Sequence, residues 1–405
     1  MRRIDDPGEG PGRSRRIETV LAQGTGAIYG PYAELVEPIH MSTTYERAAD
    51  NSYPGGATYS RDGNPAYRAP ESLLCALEGG SDALVFSSGM SAATAVFQTL
   101  RPGMRVVAPQ NMYWSLRQWL ISFCRQWDIR LELFEAAGEK PADSCATGNL
   151  AALLAQPLDL LWLESPANPT WEITDIACAA ALAKQSGALV CVDSTVATPV
   201  FSQPLSLGAD IVMHSATKYL NGHSDVLAGA LITGADSVSW QQVKMSRASV
   251  GSVPGPFESW LLARGMRTLF PRVRLAAASA ATIAAYFSGH RALKSVLYPG
   301  LESHQGHTVA ARQMHGGFGA MLSLRFAGGA DAAVQCAAAV KVFKRATSLG
   351  STESLLEHRA SIEGPGSFCP DDLLRLSIGI EHIDDLIADL EQAMSRLPSA
   401  PLHVD

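Results

Sequence analysis

Between residues 84 and 234 seven short apolar runs follow one another, at 84–86, 105–108, 129–134, 158–163, 189–192, 211–213 and 226–232, with stretches of helical periodicity between them. Strands that read as nearly continuous apolar runs must be covered on both faces, and helices recurring between them supply the covers. The pattern predicts an α/β fold: a mostly parallel seven-stranded sheet with flanking helices. Past Pro254-Gly255-Pro256 the chain changes to alanine-rich helical stretches at 275–287 and 332–344 and a late strand at 374–378, which fits a smaller C-terminal α+β domain. The expected division is an N-terminal arm over 1–62, the sheet domain over 63–256 and the second domain over 257–405.

A chain of 405 residues has room for two packed domains, and its formal charge of -7 argues against a nucleic-acid or anionic-membrane surface. Small molecules are the expected partners. Seven scattered cysteines, with no CxxC and no His-Cys cluster of zinc spacing, read as buried reduced thiols in a cytoplasmic protein that holds no metal. Residues 1–16 carry five arginines, but Asp5, Asp6 and Pro-Gly breaks stand where a signal would have its apolar core, so a mobile arm is expected. No run of about eighteen apolar residues predicts a membrane span.

The chemistry concentrates just beyond the run at 211–213, in Ser215-Ala216-Thr217-Lys218-Tyr219-Leu220-Asn221-Gly222-His223-Ser224-Asp225. Lysine is the side chain whose amine burial can push toward neutrality, after which it forms a Schiff base with an aldehyde. Ser215 and Thr217 beside it can bind a phosphate. Lysine with phosphate anchors describes a pyridoxal phosphate site if an acidic partner for the pyridinium nitrogen exists. Asp193 ends the run at 189–192, where ligands of open α/β sheets bind. Alone it would serve equally as a turn former or helix cap. Ser87-Ser88-Gly89-Met90 opens a helix after the first run, and such a start is either only a cap or a second phosphate anchor. Arg375 alternates with Leu374 and Leu376, so it is either solvated or aimed at a carboxylate, whose two oxygens its planar fork matches.

Together these residues resemble the cysteine and methionine metabolism family of pyridoxal-phosphate enzymes. The matching segments run from about residue 38 to 394. They include Tyr59-Ser60-Arg61, Ser88-Gly89-Met90, Glu164-Ser165-Pro166-Ala167-Asn168-Pro169-Thr170, the lysine motif through Gly229, Ser348-Leu349-Gly350 and Leu374-Arg375-Leu376-Ser377-Ile378-Gly379. The resemblance implies a fold-type I enzyme with Lys218 as Schiff-base lysine and mover of the α-proton, Asp193 on the pyridinium nitrogen, and Tyr113 stacking on the ring and handling a proton at the leaving group. It implies that Gly89, Met90, Ser215 and Thr217 hold the phosphate, that Tyr59 and Arg61 reach it from a neighbouring subunit, and that Asn168, Ser348 and Arg375 orient the substrate carboxylate. A homo-oligomer follows, a tetramer built as a dimer of dimers.

The implied activity is a lyase that eliminates an S- or O-linked γ-substituent from an amino acid. The alternatives are a cystathionine β-lyase, a γ-replacement transferase of the cystathionine γ-synthase or O-acylhomoserine sulfhydrylase type, and a catalytically silent cofactor-binding protein, which would be free to lose Lys218, Asp193, Tyr113 or Arg375. Three positions depart from the family pattern. Trp114 follows Tyr113 where small residues are usual, and lies either in the pocket wall or in the core. Thr347 stands where some relatives carry a glutamate. Glu363 is either solvated or faces the site, where it would favour a cationic distal group such as that of canavanine.

Overall fold

The computed structural model describes residues 15–24, 32–135, 149–364 and 367–397. Most of the N-terminal arm's first 16 residues, and Cys145, lie outside the described residues. Seven strands form the larger sheet: β1 (Asp82–Phe86), β2 (Arg105–Pro109), β3 (Arg130–Phe134), β4 (Leu160–Glu164), β5 (Leu189–Asp193), β6 (Ile211–His214) and β7 (Gly229–Thr233), in spatial order β1-β7-β6-β5-β4-β2-β3. All run parallel except β7, which is inserted antiparallel between β1 and β6. The sequence places the last run too early: Val226 and Leu227 belong to the loop before β7, and Leu227 is 64% exposed.

Side chains of the central strands alternate between two cores, as the pleat requires. Leu160 and Trp162 of β4 join Phe97, Met213 and Leu231 on one face, and Leu161 and Leu163 join Val190, Val192 and Ile176 on the other. Phe97 and Trp162 meet with centroids 4.9 Å apart, a pairing worth about 0.5–1.5 kcal/mol beyond its buried area.

A second sheet holds β8 (Leu293–Leu297), β9 (Met321–Phe326), β10 (Lys344–Arg345), β11 (Leu355–Glu357) and β12 (Leu373–Ser377), in order β10-β11-β12-β9-β8. The helix Leu269–Phe287 leads into it, and its buried face joins Leu322, Leu324 and Leu376 in one core. The second alanine-rich stretch stops short of its expected end, as helix Gly329–Ala339; residues 340–343 form a loop and only Lys344 lies in β10. Cys178 departs from the expected set of reduced thiols, being disulfide-bonded. Cys75, Cys124, Cys191, Cys336 and Cys369 are free. Among the described residues no helix is long and apolar enough to cross a membrane, and no group of three His, Cys, Asp or Glu is placed to hold a metal.

Candidate active site

Because six of the seven strands point the same way, their C-terminal ends and following loops converge on one edge of the sheet. Phe86 leads to Ser88 and Gly89, Pro109 to Tyr113, Glu164 to Asn168, β5 ends in Asp193, and β6 leads to Ser215, Thr217 and Lys218. The second sheet closes this edge with Thr347, Ser348, Arg359 and Arg375. The cavity they form measures about 190 Å³ and is lined by these residues apart from Phe86 and Pro109.

Lys218 Nζ donates to Ser348 Oγ at 2.8 Å. Burial, reinforced by the positive charges of Arg375 and Arg359, lowers its ammonium to about 8. Ser348 has φ 134°, a region sparsely populated by residues with a side chain, and Arg375 Nη2 holds its carbonyl at 2.9 Å. Arg375 is only 4% exposed, so the choice left open in the sequence falls against solvation. Its position on β12 sets it directly across from Glu357 of β11, and the two side chains pair at 2.9 Å. Arg375 Nη1 also donates to Asn168 Oδ1 at 3.2 Å.

Asp193 Oδ1 accepts from Thr195 N at 3.0 Å and Thr195 Oγ1 at 2.6 Å, and the same hydroxyl accepts from Ser215 N at 2.8 Å. The other carboxylate oxygen has no hydrogen bond among the described residues. Burial raises the Asp193 carboxyl, the signature of a buried anion awaiting a cation. Glu164, across from Asp193 in the β4–β5 register, is fully enclosed and likewise raised by burial and then by the Asp193 charge. Its two oxygens accept from Tyr113 N at 2.8 Å and Asn168 N at 3.0 Å. In the sequence Glu164 is one residue of the segment 164–170, with nothing that marks a role of its own. Its register opposite Asp193 becomes visible only in the sheet.

At the other end of the cavity the helix Gly89–Phe97 begins, capped by Ser88 Oγ, which accepts from Ser91 N at 3.0 Å. A Cβ on Gly89 would lie 2.8 Å from both Ser215 Cβ and Ser215 Oγ, so glycine is what lets the helix start approach the Ser215 loop. The result is a cradle of helix-start N–H groups, Ser215 and Thr217, electrically suited to a phosphate. Tyr113 lies in the cavity wall with 41% of its surface exposed. A buried amine near neutrality, a carboxylate oxygen in want of a cation and an anion cradle, all in one cavity, fit pyridoxal phosphate.

Four sequence candidates are not in this wall. Tyr59 is 46% exposed, with the Arg61 guanidinium 5.5 Å from its ring centroid. Trp114 does not line the cavity, and its indole nitrogen is buried without a partner among the described residues. Glu363 does not line it either: its carboxylate accepts from Arg359 Nη2 at 2.9 Å and Ser367 Oγ at 2.6 Å, and its side chain is 8% exposed. An internal arginine has already neutralised the charge expected to receive a cationic substrate group.

Residues 18–395 match the family of Cys/Met metabolism PLP-dependent enzymes. The chain belongs to this family. It is 42% identical over 363 residues to cystathionine gamma-synthase of Mycobacterium tuberculosis, covering 88% of this chain and 91% of that one. It is 35% identical over 381 residues to cystathionine gamma-lyase of Saccharomyces cerevisiae, covering 90% and 94%. The crystal structure of cystathionine gamma-synthase from Xanthomonas oryzae pv. oryzae, in complex with aminoacrylate and cysteine, superposes with a TM-score of 0.88 at 34% identity, covering 95% of this chain and 98% of that one. The family's fold is fold-type I and its cofactor is pyridoxal phosphate.

Proposed function

We propose that this enzyme removes the γ-substituent of a small amino acid as a lyase, releasing a 2-oxo acid. The observation that carries the reading is the Lys218 amine, poised near neutrality and bonded to Ser348 at 2.8 Å, beside the Arg375–Asn168 pair and in one cavity with Asp193. Pyridoxal phosphate, when bound, supplies an electron sink for charge released at the carbons next to the substrate amine. Gly89, Met90, Ser215 and Thr217 hold its phosphate, and Asp193 meets its ring nitrogen. Arg375, Asn168 and Ser348 then orient the substrate carboxylate, which sets the α- and β-protons within reach of Lys218 Nζ. Tyr113, on the outer wall, handles the proton at the leaving group. Tyr59 and Arg61, exposed and away from this chain's own cavity, are the residues of the arm that would complete a neighbour's site in a homo-oligomer.

A second reading is favoured by one observation: the γ-synthase relative is more similar, at 42%, than the γ-lyase, at 35%. In that case a thiol adds to the same γ-carbon and the enzyme is a transferase. The two part in one experiment. The holoenzyme is given methionine, cystathionine, canavanine and O-acylhomoserines, with and without a thiol. A 2-oxo acid formed without thiol supports the lyase; product only with thiol replaces it by the transferase.

A further inference from the structure

Lys218, Asp193, Arg375 and Tyr113 each have a part in the proposed reaction, whereas Glu164, in the same cavity wall, has none. It ends β4 and is only 4% exposed. A buried carboxylate persists only where its oxygens are engaged, and here backbone amides engage both. Oε2 accepts from Tyr113 N at 2.8 Å and Oε1 from Asn168 N at 3.0 Å. The two amides belong to the loops that follow β2 and β4, which are neighbours in the sheet.

The loops differ in how firmly they are held. The β4 loop is pinned to the second sheet, where Ser323 Oγ donates to Pro169 O at 2.7 Å and accepts from Trp171 Nε1 at 2.9 Å. Asn168 adds the bond from Arg375 Nη1 to its Oδ1 at 3.2 Å. Tyr113 instead stands on the outer wall with 41% of its surface exposed, so its side chain does little to fix it. Hydrogen bonds tolerate only a few tenths of an ångström of stretch. A shift of Asn168 is therefore passed through the Glu164 carboxylate to the backbone beneath the Tyr113 ring.

We propose that Glu164 is a positioning residue that couples the two ends of the substrate: capture of the substrate carboxylate at Arg375 and Asn168 sets Tyr113 in place at the leaving-group end. The inference rests on the proposed function, in that it takes Arg375 as the carboxylate end and Tyr113 as the leaving-group end. Glu164 acts through the two amides and transfers no proton.

The test uses holoenzyme, wild type and Glu164→Gln. Glutamine keeps the size but offers one acceptor, and its NH2 meets the other amide donor to donor. A second tie between the loops, Asn111 Nδ2 to Glu172 Oε2 at 3.0 Å, lets the variant fold. The probes are L-norvaline, which has the carboxylate and no leaving group, and butylamine, the same molecule without the carboxylate. Binding is followed by cofactor absorbance, and the Tyr113 ring by circular dichroism in the cofactor band, with Tyr113→Ala marking the part of the signal that the ring supplies. In wild type norvaline is expected to change that part and butylamine to leave it; in the variant norvaline binds but the change is lost. With O-acetyl-L-homoserine and a thiol, kcat is expected to fall roughly 10- to 100-fold, the loss of one hydrogen bond to a charged group, while KM stays within about threefold. A role in stability alone would leave the dichroic response intact. A norvaline response that survives in the variant, or an unchanged kcat, overturns the proposal. If the Gln variant does not fold or load cofactor, Glu164→Asp replaces it, since its shorter reach spans at most one of the two amides, and the same loss of response is expected. Failure of the proposed function looks different: wild type that binds butylamine as tightly as norvaline removes Arg375 as the carboxylate end, and the coupling with it, whereas an intact wild-type preference with an unaltered response in the variant removes Glu164 alone.

Discussion

The cofactor-free protein should load pyridoxal phosphate through an unusually available lysine, and pH is the perturbation that exposes it. Attack on an aldehyde needs the neutral amine. With Lys218 lowered to about 8 from the ordinary 10.5, roughly one molecule in ten carries it free at pH 7, against roughly one in three thousand for an unperturbed lysine, a gain of about 300-fold. The causes are separable by mutation. Burial is the largest; Arg375 adds to it and Glu357 opposes it. Arg375→Gln should therefore move the titration upward and Glu357→Gln downward, each on the order of one unit. The assay is the rate of covalent attachment of added pyridoxal phosphate, followed by absorbance from pH 6 to 11. The expected rate climbs tenfold per unit and levels near 8 in the wild type. Levelling only near 10, or both variants moving the midpoint the same way, would refute the electrostatic argument. Stability of the cofactor-free chain follows the same proton. Between about 8 and 10.5 the unfolded state binds more protons than the native one, so stability rises with pH across that window.

Two further outcomes follow from the same geometry. Asp193→Asn should keep the fold and the Thr195 contacts but cut kcat at least 100-fold, because an amide cannot hold the ring nitrogen protonated; near-normal turnover would remove that role. If Arg61 serves a neighbouring subunit, mixing Arg61→Ala with Lys218→Ala protein should restore activity absent from either parent, since mixed pairs contain one intact site. A mixture as inactive as its parents would place Arg61 in its own chain's site.

The sheet was legible because buried parallel strands leave continuous apolar runs, and six of the seven runs fall on strands within two residues. The antiparallel insertion of β7 was not: an apolar run carries no sign of its direction, and the loop hydrophobes Val226 and Leu227 blur its start. Lys218 and Asp193 announced themselves by type and position, Ser348 only through the family resemblance, and the structure brings all three to one cavity. Glu363 misled because a loop glutamate reads as free charge, whereas its partner Arg359 stands four residues earlier, on the same face of a helix too short to show a period. That i,i+4 pair was the one signal able to find Arg359. Glu164 gave none, since its meaning lies in the register that sets it beside Asp193.

Elimination at the γ-carbon is decided by the product formed from O-acetyl-L-homoserine in D₂O without any thiol. The expected product is 2-oxobutanoate carrying deuterium on its terminal carbon, because that carbon loses its substituent and gains a proton from solvent. No 2-oxo acid until a thiol is added, or 2-oxobutanoate without deuterium at that carbon, would contradict it.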